Sequence, residues 1–296
     1  MIQVLMSTYN GEQYIEEQID SILQQDCKEV NLLVRDDGSS DSTVNILQRY
    51  SEKYGNIVYY TGKNIGVAHS FFDLLAHVPD NAEYIAFSDQ DDVWLKDKLT
   101  VAVRQLAGKE MPALYCCRPL LVDRDLKVLK DRIRIANPRP GFGNSMIENI
   151  CTGCTIVFNR KLYDLIRGKH PRHYLIHDMW LYQVASCFGE VIYDCEPHIL
   201  YRQHGSNAIG LDEGRIALIK RQIASFRRFR GKYTEQLMEF AEMFSVRGEN
   251  RDMLEEVIGT RNHWSYRWKT LFDGRIYRQG FFDRFLFKGM LFWGML

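Results

Sequence analysis

The sequence predicts an α/β fold, a mostly parallel sheet flanked by helices, continued by a helical extension at the C-terminus. Three observations carry this. Short apolar runs alternate with helically spaced apolar residues four times between Ile2 and Leu106, the signature of parallel strands with helices on both faces. The links between these segments are short. A polar cluster follows each apolar run, as expected where a buried strand reaches the edge of its sheet.

The elements follow in order. IQVLMSTY, residues 2–9, suits a buried strand, and Gly11 to Gln25 places Ile15, Ile19, Ile22 and Leu23 at helical spacing. Val30 to Val34 is a second strand, ending in acidic and turn residues. Ser40 or Asp41 is placed to cap a helix carrying Val44, Leu47 and Tyr54. NIVYYTG is a third strand and GVAHSFFDLLAHV a third helix. YIAFSD is a fourth strand, followed by a helix from about Leu95 to Leu106. Beyond Ala113 the alternation loosens. ALYCCRPLLVD, CTGCTIVFN, GEVIYDCE and HILYRQHG read as strands, with helices near 160–167 and 178–187, and from Leu211 the chain reads as helical and irregular.

Bulk properties narrow the function. A chain of 296 residues, 46% hydrophobic and 26% charged, fits a globular protein of one large domain or two modest ones. Its formal net charge of zero supplies no whole-molecule attraction to nucleic acid. Seven cysteines show no repeated spacing, and Cys151-Thr152-Gly153-Cys154 lacks the second pair that structural zinc requires, so unpaired cytosolic thiols are expected. The first residues resemble no signal peptide and no stretch approaches a membrane span, so the expectation is a cytoplasmic protein.

The chemistry concentrates in the clusters Ser7-Thr8-Tyr9-Asn10, Asp36-Asp37, Asn64 and Asp89-Gln90-Asp91-Asp92, which all follow strands and should meet on one sheet edge. Three aspartates in four positions repel one another at a strand end. A hard cation, Mg²⁺ or Mn²⁺, relieves this by taking one or two carboxylates and completing its shell with water and phosphate oxygens. The plainer alternative is that Asp91 and Asp92 cap a helix containing Trp94. No phosphate loop of the G-x-x-x-x-G-K-[ST] type occurs, and no G-x-G-x-x-G follows the first strand.

STYNGEQYIEEQIDSILQQ, LLVRDDGSSDST, KNIGVAHSF and FSDQDDVWLKDKL, in this order, resemble family 2 glycosyltransferases of the GT-A fold, the Rossmann-like fold of nucleotide-diphospho-sugar transferases. CTGCT, IHDMWL and YRQHGSN resemble the rhamnosyltransferase branch. The similarity spans roughly residues 1–210, read as the catalytic domain, with a nucleotide-binding half to about 110 and an acceptor half from about 111. Residues 211–296 form the basic and aromatic extension.

The resemblance implies inverting transfer of a sugar from a nucleoside diphosphate donor, dTDP-L-rhamnose being favoured and a UDP-hexose the alternative. The acceptor would be a hydroxyl of a glycan or a lipid-linked glycan in bacterial cell-surface polysaccharide synthesis. It assigns Ser7, Thr8, Tyr9 and Asp37 to the nucleobase, with Asn64, Gly66 and Gln90 also donor-side. Asp89 falls near the ribose, and Asp91 and His204 on the Mn²⁺ or Mg²⁺ ion. Asp178 becomes the general base, with Thr152, Gly153 and His177 on the acceptor side. Plainer roles stand beside these: core packing for Tyr9, a turn for Asp37, a helix cap for Asp178, space-filling for His177.

Processive relatives carry Q-x-x-R-W, whereas here Trp264 precedes Arg267-Trp268 in place of the glutamine, which favours single additions. The basic, aromatic end suits an anionic membrane surface, a peripheral site on the inner face. The alternative is packing on the catalytic domain or on a second subunit as a homodimer. Remote alternatives are a nucleotidyltransferase, which would want a basic phosphate loop, and an inactive sugar-nucleotide-binding module, which would lack Asp91 or Asp178.

Overall fold

The computed structural model describes residues 1–129, 137–203 and 231–293. These fall into two compact units that interleave along the chain. The first holds residues 1–129, 151–168 and 188–203, and the second 137–150, 169–187 and 231–293.

The first unit is built on one eight-stranded sheet of order β3-β2-β1-β4-β7-β6-β8-β5. Its strands are β1 (Ile2–Thr8), β2 (Val30–Asp36), β3 (Ile57–Thr61), β4 (Tyr84–Ser88), β5 (Val93–Trp94), β6 (Ala113–Val122), β7 (Val157–Asn159) and β8 (Glu190–Arg202). Strands β1 to β4 are mutually parallel, as the alternation predicts. Strand β7 enters antiparallel between β4 and β6. Helices α1 (Ile15–Leu23), α2 (Thr43–Lys53), α3 (Val67–Leu75), α4 (Lys98–Leu106) and α6 (Arg160–Ile166) connect them. Val4, Leu5 and Met6 of β1 are wholly buried, because helices cover both faces and leave no alternation for the strand to express.

Two expected boundaries move. The helix expected from Leu95 begins at Lys98, because Val93 and Trp94 pair with Leu200 and Ile199 of β8. Trp94 is therefore a strand residue, and Asp91 and Asp92 do not cap a helix containing it. The two strands read in GEVIYDCE and HILYRQHG are one strand, β8. Its pairing with β6 slips twice, between Cys117↔Asp194 and Arg118↔Pro197 and again before Leu120↔Leu200. A bulge there accommodates Pro197, which has no N–H for the ladder, and the chain resumes its pairing beyond it.

The second unit contains α5 (Phe142–Ser145), α7 (His177–Phe188, apart from its last residue), α8 (Lys232–Met243), α9 (Gly248–Gly259), α10 (Trp264–Phe272) and α11 (Phe281–Phe292). Its core is aromatic. Phe240 is wholly buried, with its ring centroid 5.4 Å from Trp180, 5.6 Å from Phe142 and 5.0 Å from Phe244. Among the described residues no helix is long and apolar enough to cross a membrane.

Candidate functional site

Strand register brings the polar clusters to one edge. Thr8 stands opposite Asp36 and Met6 opposite Ser88, so the residues after β1, β2 and β4 leave the sheet side by side. Gln90 then ties two of these ends together. Its Oε1 accepts from Thr8 Oγ1 at 2.6 Å and from the Tyr9 amide at 2.8 Å, and its Nε2 donates to the Tyr9 carbonyl at 3.2 Å. Ser7 is half-buried beside them, whereas Tyr9 is 48% exposed and takes no part in the core.

Gly11 sits against this clamp. A Cβ there would lie 2.5 Å from Gln90 Oε1 and 2.9 Å from Thr8 Oγ1. Gly11→Ala therefore displaces Gln90 and lowers stability by about 1–3 kcal/mol, as overpacking does. A thermal melt checks this, and an unchanged midpoint would show that the clamp yields freely.

The β2 end divides its labour between neighbouring carboxylates. Asp36 Oδ2 accepts the Gly38 and Ser39 amides at 3.1 and 3.0 Å, so Asp36, rather than Asp37, makes the turn. Asp37 is 2% exposed and reaches across to the β3–α3 loop. Its Oδ1 accepts the Ile65 amide and its Oδ2 the Gly66 amide, both at 2.9 Å, while Arg35 Nη1 donates to Oδ1. Gly66 has φ +81°, a backbone conformation that glycine adopts without strain. Asn64 is exposed at the start of this loop.

The acidic corner after β4 is layered by depth. Asp89, Gln90 and Asp91 are half-buried, whereas Asp92 and Cys154 are wholly buried. Burial, then the charges of Asp89 and Asp91, hold the Asp92 carboxyl well above the usual carboxylate range. Its Oδ1 accepts the Arg202 amide at 3.1 Å, and its Oδ2 has no hydrogen-bond partner. One ligand atom from each of Asp89, Asp92 and Cys154 lies within 4.8 Å of the others.

An orphaned carboxylate oxygen, repelling neighbours and a mainly oxygen donor set fit a divalent cation. Of the three aspartates, only Asp89 and Asp91 are open enough to share such an ion with a ligand in solvent. Asp91 is outside the three-residue group, and His204 lies outside the described residues. Below the corner, Lys98 Nζ is wholly buried, 3.7 Å from the Trp94 ring centroid. Burial pushes its pKa down to about 8, opposed by the neighbouring Cys117, Cys154 and Asp92.

One side chain holds the corner from beneath. Arg202, 2% exposed, donates from Nε to the Asp91 carbonyl at 2.8 Å, from Nη1 to the Arg124 carbonyl at 2.5 Å, and from Nη2 to Glu17. Its guanidinium lies 4.6 Å from the Tyr14 ring centroid. Arg202, Lys98 and Glu17 are not among the residues singled out in the sequence, and Asp92 is singled out there only as a member of the acidic cluster. Glu17 and Arg202 do stand inside the quoted motifs, but they are 185 positions apart and only the fold joins them.

Thr152 and Gly153 lead into a single 3-10 turn, Gly153–Thr155, ahead of β7. The cysteines flanking them face different partners. Cys151 Sγ lies 3.1 Å from Cys116 Sγ, and Cys154 lies beside Asp92. Among the described residues no disulfide forms.

His177 and Asp178 belong to the second unit, in the first turn of α7, each 5% exposed. Asp178 Oδ1 accepts the Met179 amide at 2.7 Å, so its carboxylate satisfies one of the free N–H groups of the first turn from inside the helix, and it is not the residue that caps α7. Burial pushes the His177 imidazole down to about 3, which keeps the ring neutral.

The chain is similar to several known proteins. The family model described as Glycosyl transferase family 2 matches residues 3–167. The dTDP-rhamnosyl transferase RfbG of Shigella flexneri is 31% identical over 227 residues, 73% of this chain and 77% of that protein. The UDP-Glc:alpha-D-GlcNAc-diphosphoundecaprenol beta-1,3-glucosyltransferase WfgD of Escherichia coli is 26% identical over 164 residues, 55% of this chain and 61% of its own.

Among solved structures, S. aureus TarS 1-349 in complex with UDP-GlcNAc superposes with a TM-score of 0.58 at 16% identity, covering 89% of this chain and 72% of its own. The mannosyltransferase PcManGT of Pyrobaculum calidifontis, in complex with GDP-Man and Mn²⁺, gives 0.56 at 18% identity over 90% of this chain and 71% of its own. The fold is that of the GT-A enzymes, and the chain belongs to glycosyl transferase family 2 as a glycosyltransferase of the rhamnosyltransferase-like branch.

Proposed function

We propose that the protein transfers L-rhamnose from dTDP-L-rhamnose, with inversion, to a hydroxyl of a glycan or lipid-linked acceptor in bacterial cell-surface polysaccharide synthesis. The observation that carries this reading is the 31% identity to a dTDP-rhamnosyl transferase across 73% of the chain. A UDP-hexose donor is the second reading, favoured by the UDP-Glc specificity in the name of the WfgD relative.

On this proposal Ser7, Thr8, Tyr9 and Asp37 receive the nucleobase, and Asn64 and Gly66 form the loop that Asp37 orders. Asp89 borders the ribose, and Gln90 is on the donor side. Asp91, with His204, would hold Mn²⁺ or Mg²⁺, and a bound ion would act as a Lewis acid on the leaving diphosphate. Asp178 takes the proton from the acceptor hydroxyl as it attacks the anomeric carbon on the face opposite the leaving group. His177, kept neutral by burial, is assigned to the acceptor side, and so are Thr152 and Gly153. A lipid-linked acceptor would bring the enzyme to a membrane surface.

Titration of the protein with dTDP-rhamnose, dTDP-glucose, UDP-glucose and UDP-galactose, each with Mn²⁺ and with EDTA, tests the reading. Metal-dependent tightening for dTDP-rhamnose is expected, and Asp91→Ala should remove it. Preference for a UDP-sugar would select the second reading. Indifference to EDTA would end the metal role of Asp91.

A further inference from the structure

The exposed tryptophan and phenylalanine side chains among the described residues are concentrated in one place. Among the described residues, every tryptophan and phenylalanine that stands out as exposed lies on or just after α10 and α11. They are Trp264 at 53%, Trp268 at 45%, Phe272 at 76%, Phe285 at 64% and Trp293 at 69%. Trp264, Trp268 and Phe272 are spaced four apart, so they form one stripe along α10. Phe292 of α11 joins it, its ring centroid 4.7 Å from Trp264 and 4.9 Å from Trp268, and Trp293 extends the line. The result is a ridge shared by two helices, a larger apolar feature than scattered surface residues produce.

The charge around the ridge is predominantly positive, although Lys269 pairs with Glu256 at 3.1 Å, Arg278 with Glu148 at 3.5 Å and Arg261 with Glu235 at 3.9 Å. Between residues 260 and 293 stand seven Arg and Lys against two Asp and Glu. Asp273 is taken by Arg275 at 2.6 Å. Arg267 donates to the Thr260 and Arg261 carbonyls, and Lys288 donates to the Leu271 and Asp273 carbonyls, so their bonds are to backbone and their charge is retained. Aromatic rings bordered by cations suit the headgroup layer of an anionic bilayer, where rings enter the interface and cations meet lipid phosphates. A second copy of the chain fits poorly. A two-fold contact through this patch would set two like-charged surfaces face to face.

We propose that this ridge seats the protein on an anionic lipid surface. The proposal does not depend on the donor or on the transfer reaction, and its test uses vesicles that hold no acceptor. The protein is sedimented with phosphatidylcholine vesicles and with mixed phosphatidylcholine–phosphatidylglycerol vesicles, at low and at raised salt. Binding is expected only to the anionic vesicles, weakened by salt. It should fall by about tenfold in the double variant Phe272→Ser, Trp293→Ser.

Both side chains are more than two thirds exposed, so the thermal midpoint of the variant should match the parent. Should the variant prove unstable, quenching of wild-type tryptophan emission by brominated anionic lipid gives an independent reading, with loss of emission expected. The proposal is overturned if the parent ignores anionic vesicles or the double variant binds as well as the parent. It also falls if the parent is a dimer in solution that the double variant dissolves while neither sediments with lipid.

Discussion

Asp178→Asn should leave donor binding intact and lower turnover by about a thousandfold, within the range that a positioned general base contributes. The substitution separates chemistry from structure. Asp178 Oδ1 accepts the Met179 amide at 2.7 Å, and an asparagine carbonyl can accept the same bond, so the start of α7 is preserved. What disappears is the basicity. Asp178→Ala removes the acceptor as well, and should cost a further ~1 kcal/mol of stability, typical of a lost hydrogen bond. Single-turnover transfer rates, with donor affinity measured by titration, check the pair. Turnover of the asparagine variant within tenfold of the parent would remove Asp178 from the reaction and leave it with its first-turn hydrogen bond alone.

The second large effect lies beneath the acidic corner. Arg202→Lys should destabilise the protein by about 2–4 kcal/mol, because a lysine cannot make three divergent hydrogen bonds from one planar group. The ion pair with Glu17 is the smaller part, since the Glu17 side chain is 49% exposed and half-solvated pairs contribute little. The larger part is the Asp91 and Arg124 carbonyls, which lose their donors. Glu17→Gln should therefore cost less than ~1 kcal/mol. Urea unfolding of both variants measures the difference. Equal losses would show that the charge, and not the carbonyl bonds, is what Arg202 supplies. On the proposed reading, Arg202→Lys also weakens metal-dependent donor binding, because the backbone at Asp91 is no longer held.

Most of the fold of residues 1–110 is legible in the sequence. Its strands are covered on both faces, so they appear as unbroken apolar runs, and each polar cluster marks a strand end. Errors gathered where partners are distant in sequence. Trp94 looks helical beside Leu95 to Leu106, yet pairing with Ile199 makes it a strand residue. GEVIYDCE and HILYRQHG look like two strands, because the bulge before Pro197 breaks the pattern while the ladder with β6 continues past it. Asp36 and Asp37 are alike in sequence, and only their hydrogen bonds show that one makes the turn while the other orders the loop at Ile65 and Gly66.

The sequence by itself determined the α/β alternation, the convergence of Ser7–Asn10, Asp36–Asp37 and Asp89–Asp92, and the family. These follow from local periodicity and from short motifs, which need no knowledge of what packs against them. Tertiary structure alone decided the depth of each carboxylate, half-buried for Asp89 and Asp91 and complete for Asp92. It also decided the union of Glu17 with Arg202, and the interleaving of two units along one chain. The reason is physical: desolvation and hydrogen-bond satisfaction depend on groups brought together by long-range strand pairing, and the local spacing of residues carries no record of them.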